Sequence, residues 1–241
     1  MDPQFRKQIT ALLAAHYGIA PDDRDRPGTT LCPMDPDAWD GWLELIPAGA
    51  RLGVEVPPVL RERVEAVVAE YPSDHVLSGA DFVAAWGSEG ARVGGMKVYA
   101  LDAATFCRFT PDARYTVRAL NDADRAAFDE FLARCSEGDR NEADIGLDQA
   151  APFGVFDGSR IVAGASTYGW LGLVDVGVLT DPAYRSQGLG KAVVSAVAEH
   201  VCAQGGVLCY RHGLSNTASQ GIAEGLCLSL YATVEAVHPV E

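Results

Sequence analysis

Residues 185–191 read Arg-Ser-Gln-Gly-Leu-Gly-Lys, two glycines and two cations set where an apolar strand gives way to a run with helical spacing. Glycines leave backbone N–H groups uncovered, and a helix start adds the positive end of its dipole. Such a stretch is suited to cradling an anion such as a pyrophosphate. Three rival uses compete. A dinucleotide-binding turn wants a third glycine where Val193 stands, and an acidic residue further on that "LCYRHG" does not supply. A mononucleotide loop wants Gly-Lys followed by Ser or Thr, and Ala192 lacks the hydroxyl. A plain connecting turn needs no ligand at all. Elsewhere the chemistry is thin. No G-x-S-x-G elbow marks a serine hydrolase. Nothing in the sequence lowers the pKa of Cys135 or Cys209, so both read as core thiols, and His200 and His212 read as structural.

The elements around the glycines follow from pattern. "LVDVGVLT" reads as a strand ending at Asp181-Pro182, and Val193, Val194, Val197 and Val201 mark a helix from Leu189 to about Ala203. "FGVFDGSRIVAGAST" is a hairpin about Asp157-Gly158, where glycine permits the positive φ of a tight turn. "GVLCYRH" reads as a strand, "NTASQGIAEGL" as a helix and "LYATVEAV" as a last strand. Upstream, Phe128, Phe131, Leu132 and Cys135 share a helical face behind an Asn121 or Asp122 cap, and "SEGDRNEADIGLDQ" is a polar loop with a short helix. The order from Tyr115 is therefore β-α-(α)-β-β-β-α-β-α-β. Before it, Phe5, Ile9, Leu12 and Leu13 mark a helix, and "APDDRDRPGTT" is a polar loop. "WLELI" and "RLGVEV" read as a hairpin. A helix after Pro57-Pro58, a short one near Asp81–Trp86 and a strand near Met96–Leu101 follow. This part carries no chemical motif. The expected organisation is a small N-terminal α+β domain over residues 1–110 and a second domain over 111–241, with "FTPDARYTVRAL" as the link.

With Arg185, Gly188 and Gly190 in place, the stretch resembles motif A of the GCN5-related N-acetyltransferases (GNATs), Arg/Gln-x-x-Gly-x-Gly/Ala. "VDVGVLT" with "DPAYR" resembles that family's strand and Pro-x-x-Arg turn, and "YRHGLSNTASQG" its Asn-x-x-Ala/Ser stretch. The resemblance spans roughly Tyr115 to Glu241. It implies an α/β (α+β) fold with a mixed, splayed central sheet flanked by helices. It also implies acetyl-CoA as acyl donor and direct transfer to a primary amine in a ternary complex. The loop amides of Gln187, Gly188, Leu189, Gly190 and Lys191 would hold the pyrophosphate, with Arg185 supplying a fixed charge or holding the loop. The edge backbone of Val178, Leu179 and Thr180 would hold the pantetheine arm, with Asn216 and Ser219 beside it. Asp175 lies close to where many relatives carry a catalytic glutamate, so it is the candidate base; its strand parity is off by one, which a β-bulge would repair. Its alternative is a solvent-facing or loop-capping carboxylate. Glu137, Asp139, Glu142 and Asp144 lie where relatives border the acceptor, and would hold a cationic amine or form a solvated face. Relatives place an acid tyrosine where Ala223 stands, which keeps a non-catalytic acyl-CoA-binding module as the alternative.

Composition bounds the partners. A formal net charge of −14 over 241 residues disfavours a nucleic-acid backbone and suits a cationic amine. The acceptor is a small-molecule or peptide amine of unspecified identity, and a homodimer stays open. No apolar run of about 18 residues or signal-peptide core is found, so no membrane span and a cytoplasmic location are expected. The six cysteines form no CxxC pair and stand near no paired histidines. They are expected to be buried reduced thiols with no metal, a disulfide or zinc site being the alternative.

Overall fold

The computed structural model describes residues 1–35 and 41–240. They form a mixed α/β structure of two compact units. The first comprises residues 1–98, 213–215 and 230–241, the second residues 99–212 and 216–229. This division differs from a cut after residue 110: the second unit begins at Tyr99, and the last strand returns to the first unit.

In the first unit, α1 (Pro3–His16) starts at Asp2, whose carboxylate accepts the N–H groups of Gln4 and Phe5 at 2.8 and 3.1 Å. β2 (Leu43–Ala48) and β3 (Arg51–Val56) form the expected hairpin, turning at Gly49 with φ +88°. β1 (Gly28–Pro33) lies parallel to β3 and begins inside the stretch expected to be a loop. α2 (Arg61–Ala69) and α3 (Gly79–Trp86) bury Val64, Val67 and Phe82. β4 (Ala91–Ala100) and β10 (Ser229–Pro239) complete the order β1-β3-β2-β10-β4.

The second unit holds the strand order β9-β8-β7-β6-β5. Its strands are β5 (Tyr115–Ala119), β6 (Ala150–Asp157), β7 (Arg160–Trp170), β8 (Leu173–Thr180) and β9 (Leu208–Gly213). Neighbours are antiparallel except β8 and β9, which run parallel. Four helices flank them: α4 (Arg125–Ala133), α5 (Glu137–Ala143), α6 (Leu189–Ala203) and α7 (Thr217–Gly225). Period-2 alternation on β8 sorts the two faces. Val174, Val176 and Val178 pack with the valines of α6, while Leu179 packs with Phe128 and Phe131 of α4. A Cβ at Gly177 would run into the Ala143 carbonyl, so only glycine lets α5 lie this close to β8.

The expectation of buried reduced thiols fails at one pair, and of the free thiols Cys202 is exposed and Cys32 half-buried. Cys107 and Cys227 form a disulfide, and both residues are exposed. They lie 120 positions apart, so no local spacing announces them. Cys135 and Cys209 are buried free thiols, as expected. Among the described residues, no helix is long and apolar enough to cross a membrane, and no His/Cys/Asp/Glu cluster could hold a metal.

Candidate functional site

The site is built on the parting of β8 from β9. Their pairing covers only Val174 with Leu208 and Asp175 with Cys209. β8 then runs on to Thr180 and β9 to Gly213 as separate strands. The Val174 N–H donates to Val207 at 3.0 Å, and the Asp181 N–H donates to Val162 at 2.9 Å on the β7 side. Backbone direction alternates along a strand, so Val176, Val178 and Thr180 turn their N–H and C=O groups toward the gap. Leu179 turns its own toward β7, pairing with Gly164. Of the three expected edge residues, Val178 and Thr180 face the gap and Leu179 does not.

Asp175 sits at the apex of the gap, 2% exposed. One carboxylate oxygen accepts the Val176 N–H at 2.9 Å, and the other accepts Arg211 Nε at 2.6 Å. The carboxylate thus replaces the ladder partner that β9 stops providing, and ties β8 to β9 at Arg211, two residues beyond the last paired residue Cys209. The β7–β8 register runs unbroken from Trp170/Leu173 to Ala163/Thr180, so the bulge needed to redirect Asp175 is absent. With both oxygens engaged by donors, Asp175 has the setting of a structural ion pair, and the base role expected of it loses its geometric support. The Arg211 guanidinium also stacks 4.3 Å from the centroid of Trp170. Burial first, and the Asp175 charge second, push the Tyr168 hydroxyl above its ordinary pKa.

The glycine loop closes the far end. Gly188 is left-handed at φ +77°, and α6 begins without a side-chain cap. Ala192 makes the first helical bond, to the Gly188 carbonyl, so the amides ahead of it have no intrahelical acceptor. A Cβ on Gly190 would meet Ile222 Cδ1 at 2.9 Å and Thr180 Oγ1 at 3.4 Å, which shows how tightly β8, α6 and α7 converge there. Leu189 is core, offering only its backbone. Arg185 reaches the Thr180 carbonyl at 3.5 Å and Asp139 at 3.0 Å. The Ser136 hydroxyl first, and Arg185 next, hold Asp139 below the usual carboxylate range. Gln187 accepts from Tyr115 at 2.7 Å and from Arg114 at 2.8 Å. The Lys191 ammonium lies 4.8 Å from the centroid of Phe109.

Asn216 caps α7, its Oδ1 accepting the Ser219 N–H at 2.9 Å while its Nδ2 donates to Glu142 at 2.5 Å. That bond joins α5, packed on β8, to the helix that follows β9. Glu142 is thus the member of the acidic run drawn to the Asn216 end of the gap. The Tyr210 phenol is buried and faces Ser219; burial pushes its pKa up to about 12. Arg211, Phe109, Arg114 and the particular place of Glu142 escaped the sequence reading.

No family model matches the chain, and no curated protein matches it. Solved structures do. A GCN5-related N-acetyltransferase from Kribbella flavida is 16% identical, with TM-score 0.53 over 88% of this chain and 80% of that one. A GNAT-family acetyltransferase from Colwellia psychrerythraea is 14% identical, with TM-score 0.51 over 77% and 76%. A protein of unknown function from Staphylococcus epidermidis is 8% identical, with TM-score 0.51 over 86% and 94%. The fold is GNAT-like, as the three motifs implied.

Proposed function

We propose that the protein is an acetyl-CoA-dependent N-acetyltransferase that uses the gap between β8 and β9. The parting of these strands after Asp175, leading to an uncapped, glycine-bearing helix start, is the observation that carries the reading. The residues fit the donor: an anion needs bare N–H groups and nearby cations, and the loop offers Gly188 to Lys191 with Arg185 and Lys191 alongside. The pantetheine arm, an amide chain, would bond the edge groups of Val178 and Thr180. Val176 is excluded from that ladder because Asp175 already takes its N–H. The Val178 N–H is then the first edge donor beyond the apex able to polarise the thioester carbonyl as charge develops on its oxygen. Asn216 and Ser219 would flank the arm from α7.

The acceptor amine must lose a proton before it attacks. Glu142 is the proton acceptor of choice, directly or through water, because its bond to Asn216 keeps its carboxylate at the gap. The overall negative charge of the chain supports a cationic amine as acceptor, of small-molecule or peptide origin. The test is thiol release from acetyl-CoA with a panel of amines. Release that depends on an amine supports the transferase. Binding of acetyl-CoA without release for any amine would favour the non-catalytic acyl-CoA-binding module, the reading supported by the engagement of both Asp175 oxygens and by Ala223 in place of a tyrosine.

A further inference from the structure

The chain from residue 102 to 114 is a strap across the second unit. Cys107 is joined to Cys227 just beyond α7 by the disulfide, and its N–H donates to Leu226 at 3.0 Å. Arg108 pairs with Glu199 of α6 at 2.8 Å. The Phe109 N–H donates to the buried Ser195 hydroxyl at 3.1 Å, one turn nearer the start of the same helix. The Phe109 ring then packs on the glycine loop: a Cβ on Gly188 would lie 2.6 Å from its Cζ, and its face carries the Lys191 ammonium. Arg114 ends the strap on Gln187. An exposed disulfide is therefore two residues from the aromatic ring that backs the left-handed glycine of the loop.

We propose that the Cys107–Cys227 bond is a thiol-exchange site whose state sets the affinity of the glycine loop for its anionic ligand; this rests on the loop being the acetyl-CoA site. A small dithiol is the co-reactant. Its thiolate attacks one sulfur, and the Cys107–Cys227 bond breaks. Two electrons and two protons pass to the protein as two thiols, and the reagent leaves as its own cyclic disulfide. Oxidised, the bond holds Phe109 against Gly188 and Lys191, so the loop meets its ligand already ordered. Reduced, the strap keeps the Arg108–Glu199 ion pair, its hydrogen bonds and the packing of Phe106 and Phe109, but loses its covalent tie to the end of α7. Part of the binding energy is then spent ordering the loop.

The experiment uses the full chain, air-oxidised or treated with dithiothreitol, with the thiol state read by alkylation and intact mass. Two readouts follow: the rate of tryptic cleavage at Arg108 and Arg114, and calorimetric affinity for acetyl-CoA. Reduction is expected to speed cleavage and weaken binding by about five-fold or more, a typical coupling between sites. Cys107→Ser should bind at the reduced value with or without dithiol. Alkylating the reduced wild type gives the same state without a substitution. Equal affinity and cleavage in the two states, or no disulfide in the oxidised chain, overturns the proposal. Failure of both states to bind acetyl-CoA also overturns it and sinks the reading of the loop; a dithiol-dependent cleavage rate in that same sample would show the fault to lie in that reading.

Discussion

At the scale of single residues, the decisive case is Asp175. A carboxylate on the strand ahead of the glycines invites the role of base, yet its two oxygens are occupied by Val176 and Arg211. Asp175→Asn keeps the size and removes the carboxylate charge from its 2.6 Å contact with the half-buried Arg211 Nε. We expect it to lower unfolding stability by about 3 kcal/mol, as removal of one partner of a buried ion pair does, and to weaken acetyl-CoA binding. Urea denaturation and calorimetry check this. Unchanged stability with turnover down by the ~10²–10⁴-fold of a lost general base would return the role to Asp175. Glu142→Gln carries the opposite expectation: unaltered stability, turnover down by about that factor, and a defect that shrinks as pH rises because more of the amine is already neutral. A pH–rate profile showing a pH-independent defect would count against it. Asp175 was visible in the sequence as a residue that mattered, but its role was not. Its partner lies 36 positions away on another strand, and neither parity nor composition links the two.

At the scale of elements, the loop between β8 and α6 was the most legible part. Its glycines, its turn at Asp181-Pro182 and the valine face of α6 are local signals, and local signals decide such structure. Gly188→Val would force a β-branched residue to φ +77° and drive its side chain into Phe109. Acetyl-CoA affinity should fall at least about tenfold, some 1.4 kcal/mol, with the circular dichroism spectrum retained; full affinity in this variant would move the ligand off the loop. The same turn sets a pH dependence. Asp181 is buried and accepts from Arg134 at 2.7 Å and Arg160 at 3.0 Å. Burial opposes its charge, but Arg134, the Ala183 N–H and Arg160 outweigh it and hold its pKa below the usual value. A depressed carboxylate adds stability above its unfolded pKa of about 3.9, and that stability is lost as pH falls through the lower folded value. Stability should therefore drop below about pH 4. Asp181→Asn should be less stable at pH 7 and show a smaller further loss in acid. Parallel acid-induced losses in urea midpoint for the two proteins would contradict this.

At the scale of the whole molecule, long-range pairing decided what the sequence could not show. The last strand reads locally like the end of a domain, but Glu235, Ala236 and Val237 pair with Leu45, Glu44 and Leu43 of β2. Likewise Leu101 and Phe109, which a cut after residue 110 would discard, pack in the core of the second unit. A fragment starting at Pro111 should accordingly fail to fold cooperatively, its urea transition broad or absent; a sharp transition would show that these contacts are dispensable. In the proposed complex acetyl-CoA lies along the free edge of β8 and ends on the glycine loop. Amide chemical-shift mapping of the full-length oxidised protein during an acetyl-CoA titration tests it most directly. The largest shifts are expected on Val178 and Thr180 and on Gly188 to Lys191, with the amide of Leu179, turned toward β7, less affected. Shifts confined to other residues, or none at saturating acetyl-CoA, would contradict it.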